Sequence, residues 1–167
     1  MFNGDIINEV GGFISSDESP AVLIEEGVQF DGSLINAGQI DGSIFLASGD
    51  LDLLDSSLLS LTIDSLTDFD TIDIGGDLAF GGALELNFTD SSAFEIGQTI
   101  DLFDFGSASG SFDSIFAGPL LLDFSNLASQ GTVTFGANPA IAAVPEPSSL
   151  VVLALGGGLA LLRRRRS

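Results

Sequence analysis

Apolar and polar residues alternate in short runs over most of this chain, and one unbroken apolar stretch lies near its end. Leu84, Leu86 and Phe88 fall on one face of an extended segment, with Glu85 and Asn87 on the other. Ile72 and Ile74 flank Asp73, and Leu120, Leu122 and Phe124 repeat the pattern. Val133 and Phe135 do so weakly. A period of two is what a half-buried strand requires, because successive side chains point to opposite faces. No stretch before Ser148 sustains the period of an amphipathic helix. Gly11-Gly12, Asp31-Gly32, Asp41-Gly42, Gly75-Gly76 and Gly81-Gly82 punctuate the runs. They are expected to supply positive φ at corners.

Weak internal repeats suggest how the strands are arranged. Ile7-Asn8-Glu9-Val10-Gly11-Gly12-Phe13-Ile14 returns loosely as Ile35-Asn36-Ala37-Gly38-Gln39-Ile40, each reading as strand, Asn, Gly, strand. Asp31-Gly32-Ser33-Leu34-Ile35 is echoed by Asp41-Gly42-Ser43-Ile44-Phe45. Short strands with frequent corners suit the coils of a parallel β-helix, in which each coil buries its apolar face on its neighbours. At ~20–45 residues per unit, the body has room for roughly three to seven coils. The expected fold is all-β: a short right-handed parallel β-helix over residues 1–136 plus one C-terminal transmembrane helix. The alternative for the body is an antiparallel β-sandwich, with residues 69–135 pairing as hairpins.

The apolar stretch runs from Ser148 to Leu162 and follows Pro145-Glu146-Pro147. Arg163, Arg164, Arg165 and Arg166 come directly after it and are the chain's only basic residues. Arginines resist crossing a bilayer, so they are a positive-inside anchor that leaves the body outside the cytoplasm. At ~1.5 Å per residue the stretch spans roughly 22 Å, short of a ~30 Å hydrocarbon core. Snorkelling arginines narrow the gap. The result is a marginal anchor suited to transient retention in an inner membrane. Gly156, Gly157 and Gly158 give it a small-residue face. That face suits close approach by another helix, or else marks a poor helix that unwinds easily. Residues 137–144 read as a small-residue linker and 145–167 as the sorting and anchor segment.

The order Pro145-Glu146-Pro147, apolar span, arginine cluster resembles the PEP-CTERM sorting domain of Gram-negative bacteria. The resemblance implies export, recognition and processing by an exosortase-type membrane enzyme, and association with extracellular polysaccharide. An ordinary C-terminal anchor is the alternative. The body resembles a second family. Leu61-Thr62-Ile63 and the run from Phe69 to Leu86 are similar to the end of an autotransporter-type passenger, as are Gly97 to Phe105 and Ser109 to Phe112. That likeness implies the closing segment of a right-handed β-helix. It implies no self-translocation, because the sorting tail stands where the membrane barrel would be.

Charge narrows the partners. The 24 acidic residues all precede the four arginines, and the net charge is −20. Such a body repels nucleic acid, which is excluded as a partner. It is nonetheless 45% hydrophobic with 14 Phe, so it folds rather than remaining a solvated acidic coil. With no Cys, it has neither disulfides nor thiolate metal sites. An exported protein needs a basic, then apolar leader, and Met1 to Glu9 carries neither. The chain is therefore expected to be the C-terminal piece of a longer protein, or to begin at a misassigned start codon.

Catalytic chemistry is hard to assemble here. Without His, Cys or Lys there is no Ser-His or Cys-His pair and no P-loop lysine. Asp50/Asp52, Asp68/Asp70/Asp73 and Asp101/Asp104 are hard-oxygen candidates for calcium, but none lies in an EF-hand pattern. They read as a solvated acidic face, with calcium as a diffuse counterion and no cofactor. The expectation is a non-enzymatic, exported protein of the cell surface or extracellular matrix. The alternatives are a carbohydrate-binding or adhesive module and a carboxylate-based polysaccharide-degrading enzyme.

Overall fold

The computed structural model describes residues 2–16 and 20–136. The chain divides into two units, Met1–Ala137 and Asn138–Ser167, and the second lies outside the described residues. So do the linker over 137–144 and the apolar span from Ser148 to Leu162. Among the described residues, no helix is long and apolar enough to cross a membrane.

The body is mostly strand. β1 (Ile6–Asn8), β2 (Phe13–Ser15) and β3 (Val22–Ile24) come first, then β4 (Ser33–Asn36), β5 (Gln39–Asp41) and β6 (Ile44–Leu46). β7 (Asp50–Leu53), β8 (Leu58–Ile63), β9 (Ile72–Phe80) and β10 (Ala83–Phe88) follow. After a short 3-10 turn at Ser91–Ala93 come β11 (Thr99–Asp101), β12 (Phe103–Gly110), β13 (Ser114–Phe116), β14 (Leu122–Asp123), α1 (Leu127–Gln130) and β15 (Thr132–Phe135). Seven strands form one sheet in the order β1-β4-β7-β9-β6-β3, with β12 also on β9. Five form a second, β13-β10-β8-β5-β2. Every pairing in these two sheets is parallel. The long strands of 69–135 do not pair as the hairpins of the sandwich alternative: β9 pairs β12, and β10 pairs β8 and β13, all in parallel. Among the described residues, the small sheet β11-β15-β14 is the one antiparallel sheet.

Register explains the alternation. Ile14, Ile40, Leu59, Leu84 and Ile115 lie one over the next across the five-stranded sheet. Ile6, Leu34, Leu51, Leu78 and Ala108 do the same across the seven-stranded sheet. Ile40, Leu59 and Leu84 are wholly buried, as are Leu34 and Leu51. A slip of one residue would turn each column to solvent, so burial locks the register. Leu84 and Leu86 share the buried face as expected, and Phe88 sits half-buried against Phe94 and Phe135.

The glycines divide into two kinds. Gly11, Gly42 and Gly82 have positive φ, as expected at corners. Gly12, Gly32, Gly81, Gly75 and Gly76 do not, and the last two show why. A Cβ on Gly76 would lie 2.4 Å from the Gly49 carbonyl oxygen, and one on Gly75 would lie 2.5 Å from that of Ala47. These two permit close backbone approach where β9 passes from pairing with β6 to pairing with β7. The helical turn α1 gave no periodic signal because it is a single turn. It ends at Gly131, whose φ of 73° is the left-handed cap position.

Candidate functional site

The sequence repeat has a structural counterpart in a buried amide pair. Asn8 ends β1 and Asn36 ends β4, in register and 28 residues apart. The Asn8 side-chain amide donates to Asn36 Oδ1 at 2.7 Å and to the Gln39 carbonyl at 3.1 Å. Asn36 in turn donates to the Gly38 carbonyl and accepts from the Gly38 amide, both at 3.2 Å. Both side chains are buried. The pair bonds the backbone of the second corner, at Gly38 and Gln39, and ties the first corner to it. It is a structural device, visible in sequence as the repeated Asn before Gly.

Folding gives several of the acidic residues specific hydrogen-bond partners. Asp50 and Asp52 share the outer face of β7, and Asp50 accepts from the Asp77 amide at 2.8 Å. Asp77 accepts from the Ser107 hydroxyl at 2.7 Å, and Asp5 from the Ser33 amide at 3.1 Å. Asp70 turns onto Ser43 Oγ at 2.8 Å and the Thr62 amide at 2.7 Å. Asp68 stays exposed, and Asp73 lies beside Asp104 on the neighbouring strand. Several acids thus stitch one strand to the next, a role the reading of a uniform solvated face missed. Partial burial, then the charge of Asp104, raises the Asp73 and Asp101 carboxyls above the ordinary aspartate value. Hydrogen bonds from Ser92 and Ser125 lower Asp90 and Asp123. Among the described residues, no three acidic side chains converge as metal ligands.

Two open grooves mark the surface. One, of about 730 Å³, is lined by Phe13, Ser15, Asp41, Thr62, Asp68 and Asp70 among others. Phe13 is 60% exposed there. The other, of about 650 Å³, follows the half of β10 beyond β13, between Asn87, Phe88, Phe116 and Pro119. The first can offer carboxylates, hydroxyls and the exposed ring of Phe13 to a polar ligand. Neither holds a nucleophile paired with a nitrogen base, since the sequence before Arg163 has no basic side chain.

The sorting residues Pro145, Glu146, Pro147, Gly156, Gly157, Gly158 and Arg163 to Arg166 lie outside the described residues, so no geometry attaches to them. The comparisons reach them instead. Residues 143–166 match the PEP-CTERM protein-sorting motif. The motif indicates an exported protein with a C-terminal sorting tail, and it implies processing by an exosortase-type membrane enzyme. No curated protein and no solved structure matches the chain. The likeness of the body to an autotransporter passenger therefore has no relative behind it.

Proposed function

We propose that this is a non-enzymatic protein of the cell surface or extracellular matrix, held briefly at an inner membrane by Ser148 to Arg166 until its tail is processed. Its body would be a short right-handed parallel β-helix that serves as a structural unit. The observation that carries the reading is the match of residues 143–166 to the sorting motif. Parallel strands in register, with aliphatic columns inside and carboxylates outside, support the body's part in it. Parallel crossovers are right-handed in about 98% of cases, which gives the hand. The acidic surface would keep a strand-rich body soluble outside the cell.

The test expresses the chain behind a working leader in a host with an exosortase-type enzyme, followed by fractionation and intact mass. Deleting Ser148 to Ser167 should release unprocessed body into the periplasm. Glu146→Ala should slow processing and leave insertion intact, since the span and arginines remain. A mature protein that still ends in Arg163 to Arg166 would reduce the tail to a plain anchor.

A second reading rests on the groove beside Phe13. An exposed ring among carboxylates and hydroxyls is the chemistry of a carbohydrate-binding module. Retardation of the body in a gel containing neutral polysaccharide, lost in Phe13→Ala, would favour it. Hydrolysis of the polysaccharide would instead favour the enzymatic alternative.

A further inference from the structure

Asn3 and Gly4 precede β1, and both are exposed. Gly4 has a φ of 143°, and apart from its own chain neighbours no heavy atom lies within 4 Å of the place where a side chain would begin. Among the described residues, neither the Asn3 carboxamide nor the Gly4 amide nitrogen takes part in a hydrogen bond. Asn3 is also the one asparagine in the sequence that glycine follows. Asn8 and Asn36, by contrast, are buried and bonded.

We propose that Asn3-Gly4 is a modification site, at which asparagine deamidates spontaneously to aspartate and isoaspartate. The Gly4 amide nitrogen gives its proton to solvent base and attacks Cγ of Asn3. A new C–N bond closes a five-membered imide, the bond to the side-chain nitrogen breaks, and that nitrogen leaves as ammonia. Water then opens the imide at either carbonyl, giving the normal or the lengthened main chain, and no electrons are exchanged. Glycine favours the step because it has no Cβ to crowd the attacking nitrogen.

The position gives the change a structural effect. On one side of it, the Phe2 amide donates to the Gln29 carbonyl at 2.8 Å and the Asp31 amide to the Phe2 carbonyl at 3.1 Å. On the other, the Asp5 carboxylate accepts from the Ser33 amide at 3.1 Å. An isoaspartate adds one methylene to the main chain between these two attachments. It also adds a charge next to Asp5. Both changes loosen β1 from β4, so the reaction acts as a timer on the first turn.

The test holds the purified full chain in mildly alkaline buffer and follows it by peptide mapping. The peptide containing Asn3 should gain the mass of an amide-to-acid conversion and split into two species. Peptides containing Asn8, Asn36, Asn87 and Asn126 should stay unchanged. Gly4→Ala should slow conversion by about tenfold or more, because it places a Cβ beside the nitrogen. Alanine is strained at this φ, so Asn3→Gln is the second variant. It keeps the carboxamide but must close a larger ring, and it should also stay intact. Conversion at Asn87 or Asn126 ahead of Asn3, or an unchanged rate in Gly4→Ala, would overturn the proposal.

Discussion

The first turn, β1 to β3, and the segment from β11 to β15 finish the same core in different ways. In the C-terminal segment, the antiparallel sheet and α1 supply a cover. Leu127 and Val133 are buried, and the Gly131 carbonyl accepts from the amides of Leu102 and Phe103 at 3.0 and 3.2 Å. Phe135 stacks on Phe94 with ring centroids 4.5 Å apart. Among the described residues, the first turn has strand neighbours on one side, since β1, β2 and β3 end their sheets. Ile6, Ile14 and Val22 are half-buried, whereas their column mates Leu34, Ile40 and Ile44 are buried. Phe2, Ile7, Val10, Phe13, Leu23 and Val28 are exposed. The outward columns change along the stack too. Leu23 and Phe45 give way to Asp73 and Asp104, and Ile7 and Ile35 to Asp52. An inward side chain becomes core only when a strand lies on each side of it. A covering segment does the same work where the strands stop.

One charge placed in each region should separate them most strongly. Leu84→Asp buries an uncompensated carboxylate in the central column and should unfold the body, at a cost of several kcal/mol. Leu23→Asp puts the same group on the exposed face of the first turn and should shift stability within about 0.5 kcal/mol. Circular dichroism and urea melts would separate them, and equal effects would mean the columns are misassigned.

Removing the cover comes next. Leu127→Ala should cost about 2–5 kcal/mol, as for other buried leucines. Ile7→Ala, in the first turn, should cost far less. Asn36→Ala tests the boundary between the regions, because it removes one of the two acceptors of the buried Asn8 amide and the acceptor of the Gly38 amide. A loss of about 1–3 kcal/mol is expected in chemical denaturation.

The smallest expected effect is in pH. Asp73 and Asp101 have raised carboxyl pKa values in the folded body. Their stabilising contribution is complete below the unfolded value and is lost as pH rises through the folded one. The melting temperature should therefore climb modestly as pH falls from neutral toward the carboxylate range. Asp104→Asn should shrink the climb. Asp90 and Asp123 have lowered values, so their contribution disappears as pH falls through them, and the climb should turn over.

Strand identity was legible wherever burial enforces alternation. Ile72 and Ile74, Leu84 and Leu86, and Val133 and Phe135 all proved to be buried positions. The repeated Asn also pointed correctly to stacked corners. Three features left no readable signal. A single helical turn at Leu127–Gln130 is too short to show a period. Gly75-Gly76 reads like any corner, although it serves close packing. The acids that bond neighbouring strands, Asp5, Asp50 and Asp77, are indistinguishable in sequence from solvated ones such as Asp68. Their roles depend on which amide or hydroxyl the next turn presents. The tail was legible for a different reason. Its signal is a linear order of motif, apolar span and arginines, which is matched along the sequence without reference to the fold.

Backbone hydrogen exchange on the body as residues 1–136 tests most directly whether the parallel strands are covered at the β11–β15 segment and, among the described residues, have no second neighbour at the first turn. Amides of β5, β8 and β10 should open only with global unfolding, and those of β15 nearly as rarely. Amides of β1, β2 and β3 should exchange much faster, at a rate insensitive to Leu127→Ala. First-turn protection equal to that of β8 would contradict the account. So would a first turn that loses protection together with β15 when the cover is removed.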